Sequence, residues 1–418
     1  MNEMLLQYLW RNQIFSNRDF FTTQHQKLMI IHTGWQHQDA GPDFRQAMIK
    51  IGRITWVGDV EIHLKTSDWL RHGHQYDEKY QSVILHVVYE NDITLNYTFP
   101  TLELKHYISS ELLERYEKMY HNNDWLACRT ALNQVSSMKI TSLLSRMAEE
   151  RLENKQREIF ELLHRCGDDW HETTYRLLLR NFGFRTNSAA FELLAQSLPY
   201  RYINKHRNSR LQIYSLIFGQ AGMLAEEQGD DYYNTLHKEY RYLQYKYHLT
   251  PISLKLWNLL RLRPRNFPCI RLAQASESLY RFPNIAQCLL EEPPMQALDR
   301  LHTLQPDDYW QTHFHFGKET GKHTCSIGDE TINALVINTI IPLKFSFGTF
   351  FGNDKIKEQA WVTLENIPFE KNFITRKYQK MGFAFQSAMD SQAILELYHH
   401  YCLNKRCVEC EIGCSIIR

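Results

Sequence analysis

Between residues 28 and 99 apolar and polar side chains alternate with period two in five short stretches, and after about residue 108 the period becomes that of a helix. This switch constrains the chain more than any other feature, because it calls for a sheet first and helical bulk afterwards. The stretches are LMIIHTG, FRQAMIKI, RITWVGDVEIHLK, SVILHVVYE and ITLNYTF, rich in β-branched and aromatic residues and separated by Gly, Pro, Asn and Asp. The turn at IGRI has hairpin length, and FPTLELKHY adds a short last strand. Met4, Leu5, Tyr8 and Leu9 recur at helical spacing and predict a helix over 2–12. Between the third and fourth strands, SDWLRHGHQYDEKYQ is a loop or a short helix starting at Ser67.

Downstream, SSELLERYEKMYH, SLLSRMAEERLENKQREIFELLHRC and WHETTYRLLLRNFGF place Leu, Met, Ile and Phe three and four residues apart among charged residues. LVINTIIPLKFSFG is a buried helix or a buried strand, which periodicity does not separate. RLRPRNFPCIRLAQ, at 261–274, interrupts the helical run with two prolines and marks a joint. The expected class is α+β, with an α/β domain over 1–125, a helical domain over 126–265 and a mainly helical region over 266–418.

Among 418 residues, 48 Lys and Arg balance 47 Asp and Glu, so no global field gathers nucleic acid or an anionic membrane. Contact with nucleic acid would need a local basic patch. The start MNEMLLQYLWRNQIF carries no basic leader, and no uninterrupted apolar run approaches about 18 residues, so a soluble cytoplasmic protein without membrane association is expected. Five of the nine cysteines are scattered singly (Cys128, Cys166, Cys269, Cys288, Cys325), unlike a secreted disulfide framework.

The third strand concentrates the chemistry. Thr55, Val57, Asp59, Glu61, His63 and Lys65 fall on one face and Trp56, Gly58, Val60, Ile62 and Leu64 on the other. The apolar set can pack on helices while the charged set lines a groove. The preceding strand is entered through GPDF, which brings Asp43 to the mouth of the hairpin near Glu61. Two carboxylates on adjacent strands suit Mg²⁺ or Mn²⁺, with the Ile62 carbonyl as a third oxygen and His63 or Lys65 orienting a water or phosphate. A second set is open to Zn²⁺ or Mn²⁺: His72 and His74 in HGH, and His86 in the fourth strand, with His63. Without chemistry, the same pattern describes a half-buried strand with a satisfied core histidine.

The order helix, strand, Asp-entry strand, Glu-x-basic strand, polar segment, strand resembles the core of the PD-(D/E)XK phosphodiesterases, with Pro42–Asp43 and Glu61–His63 at the motif positions. That resemblance implies a nuclease-like sheet and metal-dependent cleavage of nucleic acid; His63 stands where the pattern has lysine. Over nearly its full length, from GPDF through GDVEIH, HGH, LHVV and GQAGML to YCLNKRCVECEIG, the chain also resembles the bacterial domain of unknown function 2851. That family implies no activity. The rival to an enzyme is a non-catalytic module binding nucleic acid or protein, in which the sheet face only pairs charges.

The other four cysteines, Cys402, Cys407, Cys410 and Cys414, crowd into 402–414 with intervals suited to a knuckle holding Zn²⁺ or an iron–sulfur cluster. In the family resemblance the first three carry the pattern, leaving Cys414 replaceable by His399, by His400 or by no protein group. The alternative is small apolar residues on a last helix. Gly219 and Gly222 in FGQAGML lack phosphate-loop spacing and predict tight helix packing. Arg261, Arg263, Arg265 and Arg271 form the densest basic run, a phosphate contact or a solvated face.

Overall fold

The computed structural model describes residues 1–37, 40–122, 124–226, 228–260, 262–282 and 284–418. Its contacts group into two units: Met1–Leu144 together with Leu397–Arg418, and Ser145–Glu396. The cysteine tail thus belongs to the same unit as the sheet.

In the first unit, helix α1 (Glu3–Asn12) starts at Asn2, whose side chain accepts from the Leu5 amide, and ends where Gln13 turns left-handed. Its apolar stripe of Leu5, Leu6, Leu9 and Trp10 is fully buried. The sheet comprises β1 (Phe20–Phe21), β2 (Lys27–His32), β3 (Trp35–Gln36), β4 (Phe44–Ile51), β5 (Ile54–Lys65), β6 (Val83–Glu90) and β7 (Thr101–Glu103). Along its path the order is β1-β2-β4-β5-β6-β7, with β3 paired to β4. The first strands pair antiparallel, whereas β5–β6 and β6–β7 are parallel, so residues 66–82 cross over between β5 and β6. Buried Phe44, Ala47, Ile49, Val60, Ile62 and Leu85 form the sheet's share of the core.

The α+β class, the helix over 2–12 and four of the five long strand expectations match these elements; ITLNYTF does not. Residues 94–97 carry no strand or helix, and Tyr97 and Phe99 instead lie against Trp69, with ring centroids 5.6 and 4.9 Å away. Those aromatic residues read as β formers because both uses want flat apolar side chains. The short helix after Ser67 exists, as α2 (Asp68–Arg71), but the Ser67 hydroxyl donates to Asp92 Oδ2 at 2.7 Å rather than capping it. Helices α3 (Ser110–Tyr120) and α4 (Ser137–Arg165) follow, the second lying mostly in the other unit.

The second unit is helical. Its helices include α5 (Trp170–Phe182), α6 (Phe184–Ser197), α7 (Tyr200–Lys205), α8 (Arg210–Gln220), α9 (Asp231–Tyr247) and α10 (Pro268–Arg281). Every residue of α8 from Ile213 to Gln220 is buried, which makes it a central helix rather than an amphipathic one. A Cβ on Gly219 would stand 2.1 Å from the Tyr240 ring of α9, so glycine there is a packing requirement. Gly222, at φ +76°, turns left-handed just beyond α8 and lies against the Ile252 carbonyl. LVINTIIPLKFSFG is helical and largely buried; a π turn, Val336–Ile340, leads into the helix Ile341–Phe350, whose second residue is Pro342, where a missing N–H is tolerated. The stretch Asp329–Phe350 is long and apolar enough to cross a membrane, with 72% of its most apolar window buried inside the protein.

Of the basic run, Arg261 lies outside the described residues and Arg263 and Arg265 are exposed. Arg271 is buried, donating to Gln274 Oε1 at 2.9 Å and Asn266 Oδ1 at 2.6 Å, so it is not part of a solvated basic face. Arg263, Arg265 and Arg271 line a cavity of about 720 Å³ whose wall also carries the carboxylates of Asp329 and Glu330.

Candidate metal centre

The β4–β5 register pairs Phe44 with Val60, which sets Asp43 opposite Glu61. The pairing holds across a bulge between Phe44 and Ala47, where Gln46 takes a positive φ of 57°. Asp59 secures that bulge: Oδ1 accepts from the Gln46 amide at 3.0 Å and Oδ2 from the Ser82 hydroxyl at 2.6 Å. Asp59 is therefore a structural member of the charged strand face. Without the bulge the side chains beyond it would swap faces.

The Asp43 amide donates to Glu61 Oε2 at 3.1 Å, and the Ile62 amide donates to Asp43 Oδ2 at 3.0 Å. Gln7 from α1 holds Asp43 Oδ1 at 2.8 Å. Glu3, one helical turn earlier, lies close enough to raise both carboxyls, with the Leu64 amide beside it. Burial is the largest cause of the upward shift in Asp43, Glu61 and Glu3, and Asp43 raises Glu61 further. Among the described residues no Lys or Arg pairs with Asp43 or Glu61. Lys65 is exposed at the end of β5, near Glu90 and Asp92.

The charged face of β5 does not line an open groove, because the crossover folds back over it. Glu61 is 5% and His63 1% exposed, and His86 on β6 is fully buried. His63 Nδ1 stands 2.9 Å from His86 Nε2. The other ring nitrogen, Nε2, is 3.2 Å from His72 Nδ1 and 3.3 Å from Glu61 Oε1. His74 Nε2 is 3.4 Å from the same Glu61 oxygen. His74 is partly buried, stacked on Tyr80 with centroids 3.8 Å apart, and His72 is exposed. Trp69 closes the base, edge-on to His63, His74 and His86. Burial drives His63 down to about 2 and His86 to about 3, with neighbouring imidazoles adding to the effect, so both rings are neutral. The Tyr80 hydroxyl is pushed up to about 12 by burial and by the Glu61 and Asp43 carboxylates.

A nitrogen from each of His63, His72 and His74 lies within 4.8 Å of the others. Four ligands about 2.0–2.1 Å from a tetrahedral zinc stand roughly 3.3–3.4 Å apart. Three contacts have that spacing and run as a chain: His72 Nδ1 to His63 Nε2 at 3.2 Å, His63 Nε2 to Glu61 Oε1 at 3.3 Å, and Glu61 Oε1 to His74 Nε2 at 3.4 Å. Neutral imidazoles and one carboxylate oxygen are also the donors such a metal takes, so the residues fit a divalent transition metal. The residues Glu3, Gln7, Trp69 and Tyr80 escaped sequence reasoning. Glu3 and Gln7 had one readable signal, a polar i,i+4 pair on an otherwise apolar helix.

At the tail, Cys402, Cys407 and Cys410 line a cavity of about 20 Å³, and Cys414 does not. The Cys414 thiol donates to the Val408 carbonyl at 3.1 Å and lies beside the Tyr8 hydroxyl.

A family model described as "Protein of unknown function (DUF2851)" matches residues 3–373. No curated protein and no solved structure matches the chain.

Proposed function

The chain belongs to the DUF2851 family of proteins of unknown function, and from that premise we propose that it is a divalent-metal-dependent hydrolase of phosphodiester bonds in nucleic acid. The observation that carries the reading is the run of 3.2–3.4 Å contacts from His72 Nδ1 through His63 Nε2 and Glu61 Oε1 to His74 Nε2, with a nitrogen of each of the three imidazoles within 4.8 Å of the others. In this reading these four groups hold the metal, which supplies Lewis acidity at the scissile group when bound. His63 keeps its Nε2 lone pair for the metal by donating Nδ1–H to His86 Nε2, the outer contact that orients a ligand imidazole. Asp43, raised by burial, is the proton acceptor, fixed by Gln7 and the Ile62 amide. The sheet order, with an Asp-entry strand antiparallel to the Glu strand and a parallel strand after the crossover, supports a PD-(D/E)XK-like scaffold and hence a phosphodiester substrate. Cytoplasmic location goes with this reading.

Burial favours a second reading. With Glu61 and His63 almost inaccessible, only exposed His72 opens the cluster to solvent, as suits a closed centre within a nucleic-acid or protein interaction module.

Calorimetric titration of the full chain with Zn²⁺, Mn²⁺ and Mg²⁺, paired with cleavage assays on single- and double-stranded DNA and RNA, tests both. Apart from any metal held by the tail cysteines, we expect one high-affinity transition-metal site, weakened more than ten-fold by His72→Ala and lost in Glu61→Ala, with cleavage lost in Asp43→Ala. Metal binding without cleavage would favour the module. Loss in Asp43→Ala with no effect of His72→Ala would restore a two-carboxylate magnesium site, and no binding to the wild type would end the proposal.

A further inference from the structure

Sequence spacing groups Cys402, Cys407, Cys410 and Cys414, but the folded tail sorts them differently. The cavity of about 20 Å³ beside the last helix is lined by Cys402, Cys407 and Cys410 from the tail and by Cys128, which follows α3 some 270 residues earlier in the chain. Leu126, Ala127, Tyr401, Arg406 and Gly413 complete its wall. Cys414 points elsewhere, to the Val408 carbonyl and Tyr8.

The tail is built tightly around that space. Cys407–Glu409 forms a 3₁₀ turn, and the helix Glu411–Ile417 starts at Cys410. A Cβ on Gly413 would stand 2.1 Å from the Cys407 carbonyl, so the helix and the turn approach as closely as glycine permits. Cys407 and Cys410 thereby share the cavity with the segment carrying Cys128. Lys405 adjoins Cys407, and Arg406 reaches the cavity wall; both are cations next to thiols that would be negative once they held a metal.

We propose that Cys128, Cys402, Cys407 and Cys410 form a four-thiolate metal site, with Cys128 in the place that spacing alone gives to Cys414, binding either a single Zn²⁺ or an iron–sulfur cluster. Both species take four cysteine sulfurs and leave a net negative centre that Lys405 and Arg406 offset. The site ties the end of the chain to the segment after α3 and makes no use of the imidazole cluster.

The full chain purified without oxygen, and its Cys128→Ser and Cys414→Ser variants, test this. Zinc, iron and acid-labile sulfide are measured, with absorption spectra and far-ultraviolet circular dichroism to check folding. Brown protein with iron and sulfide identifies the cluster; colourless protein with zinc identifies the single ion. After exchange into Co²⁺, the near-ultraviolet sulfur-to-cobalt band counts thiolates and is blind to the histidine site. We expect Cys414→Ser to keep metal and the full band. Cys128→Ser should lose metal or keep a band about one quarter weaker, and Cys128→His should restore binding with an altered band if the serine variant misfolds. Metal lost in Cys414→Ser but kept unchanged in Cys128→Ser would overturn the assignment. So would wild-type protein with neither a cluster nor a sulfur-to-cobalt band.

Discussion

The two units bury charge in opposite ways. In the helical unit Glu277 is fully buried yet accepts from Arg210 at 2.8 Å, Arg281 at 2.9 Å and the Tyr214 hydroxyl at 3.1 Å. Glu396, equally buried, meets Arg151 and Asn154. In the sheet unit Glu61 and Asp43 face each other, Glu3 and neutral imidazoles, with backbone amides and Gln7 as their donors. A buried carboxylate with guanidinium partners is solved as architecture; one left among like charges stays short of a cation, which is how perturbed groups mark candidate sites.

The contrast can be broken most severely at Arg210. Arg210→Ala removes the Glu277 partner and the contacts to Asp307 and the Gln305 carbonyl, and should destabilise the protein by about 3–5 kcal/mol in denaturant unfolding. A cost under about 1 kcal/mol would mean that Glu277 is not a structural ion-pair hub. Lys155 offers a smaller effect of opposite sign. It is a half-buried cation whose pKa burial lowers to about 7, donating to Asn338 Oδ1 at 2.9 Å. Because the folded value lies below the ordinary 10.5, the unfolded chain holds more protons between about pH 7 and 10.5, and this residue's contribution to stability rises with pH across that window. Lys155→Met should stabilise the protein by roughly 1–2 kcal/mol at pH 7 and flatten the rise; an unchanged pH profile would remove Lys155 as its source.

The smallest change is expected at Glu61. Its carboxyl titrates above the ordinary 4.5, so its contribution is full below pH 4.5 and declines as pH rises toward the raised folded value. In metal-free protein Glu61→Gln should alter stability by less than about 1 kcal/mol at pH 6 and become relatively more stable in alkali. A loss as large as that of Arg210→Ala would show Glu61 to be architectural too, and would erase the contrast.

Short-range pattern made much of the sheet unit legible. Alternation located β4 and β6 to within a residue, and the GPDF entry anticipated the Asp43–Glu61 pair because antiparallel register is a local matter. The cover over β5 was not legible. Tyr80 and Trp69 reach Glu61 and His63 only through the path of the crossover, which has no period to read. Glu3 arrives from α1 and Cys128 lies far in sequence from the tail cysteines, so only tertiary structure brings them in. In the helical unit, Gly219 was readable as a packing glycine, whereas the guanidinium partners of Glu277 were ordinary surface charges in sequence.

The sheet unit consists of Met1–Leu144 and Leu397–Arg418, with Ser145–Glu396 between them in the chain. At about 5–20 residues per second, a ribosome takes roughly 10–50 s to make that intervening stretch. Over that interval the helical unit emerges whole and can fold as synthesised, while the sheet unit waits, its Cys128 segment without the tail. Completion of the sheet unit therefore waits until the whole of Ser145–Glu396 has been made, and a chain lacking the helix Glu411–Ile417 would lack part of the unit that carries Asp43 and Glu61.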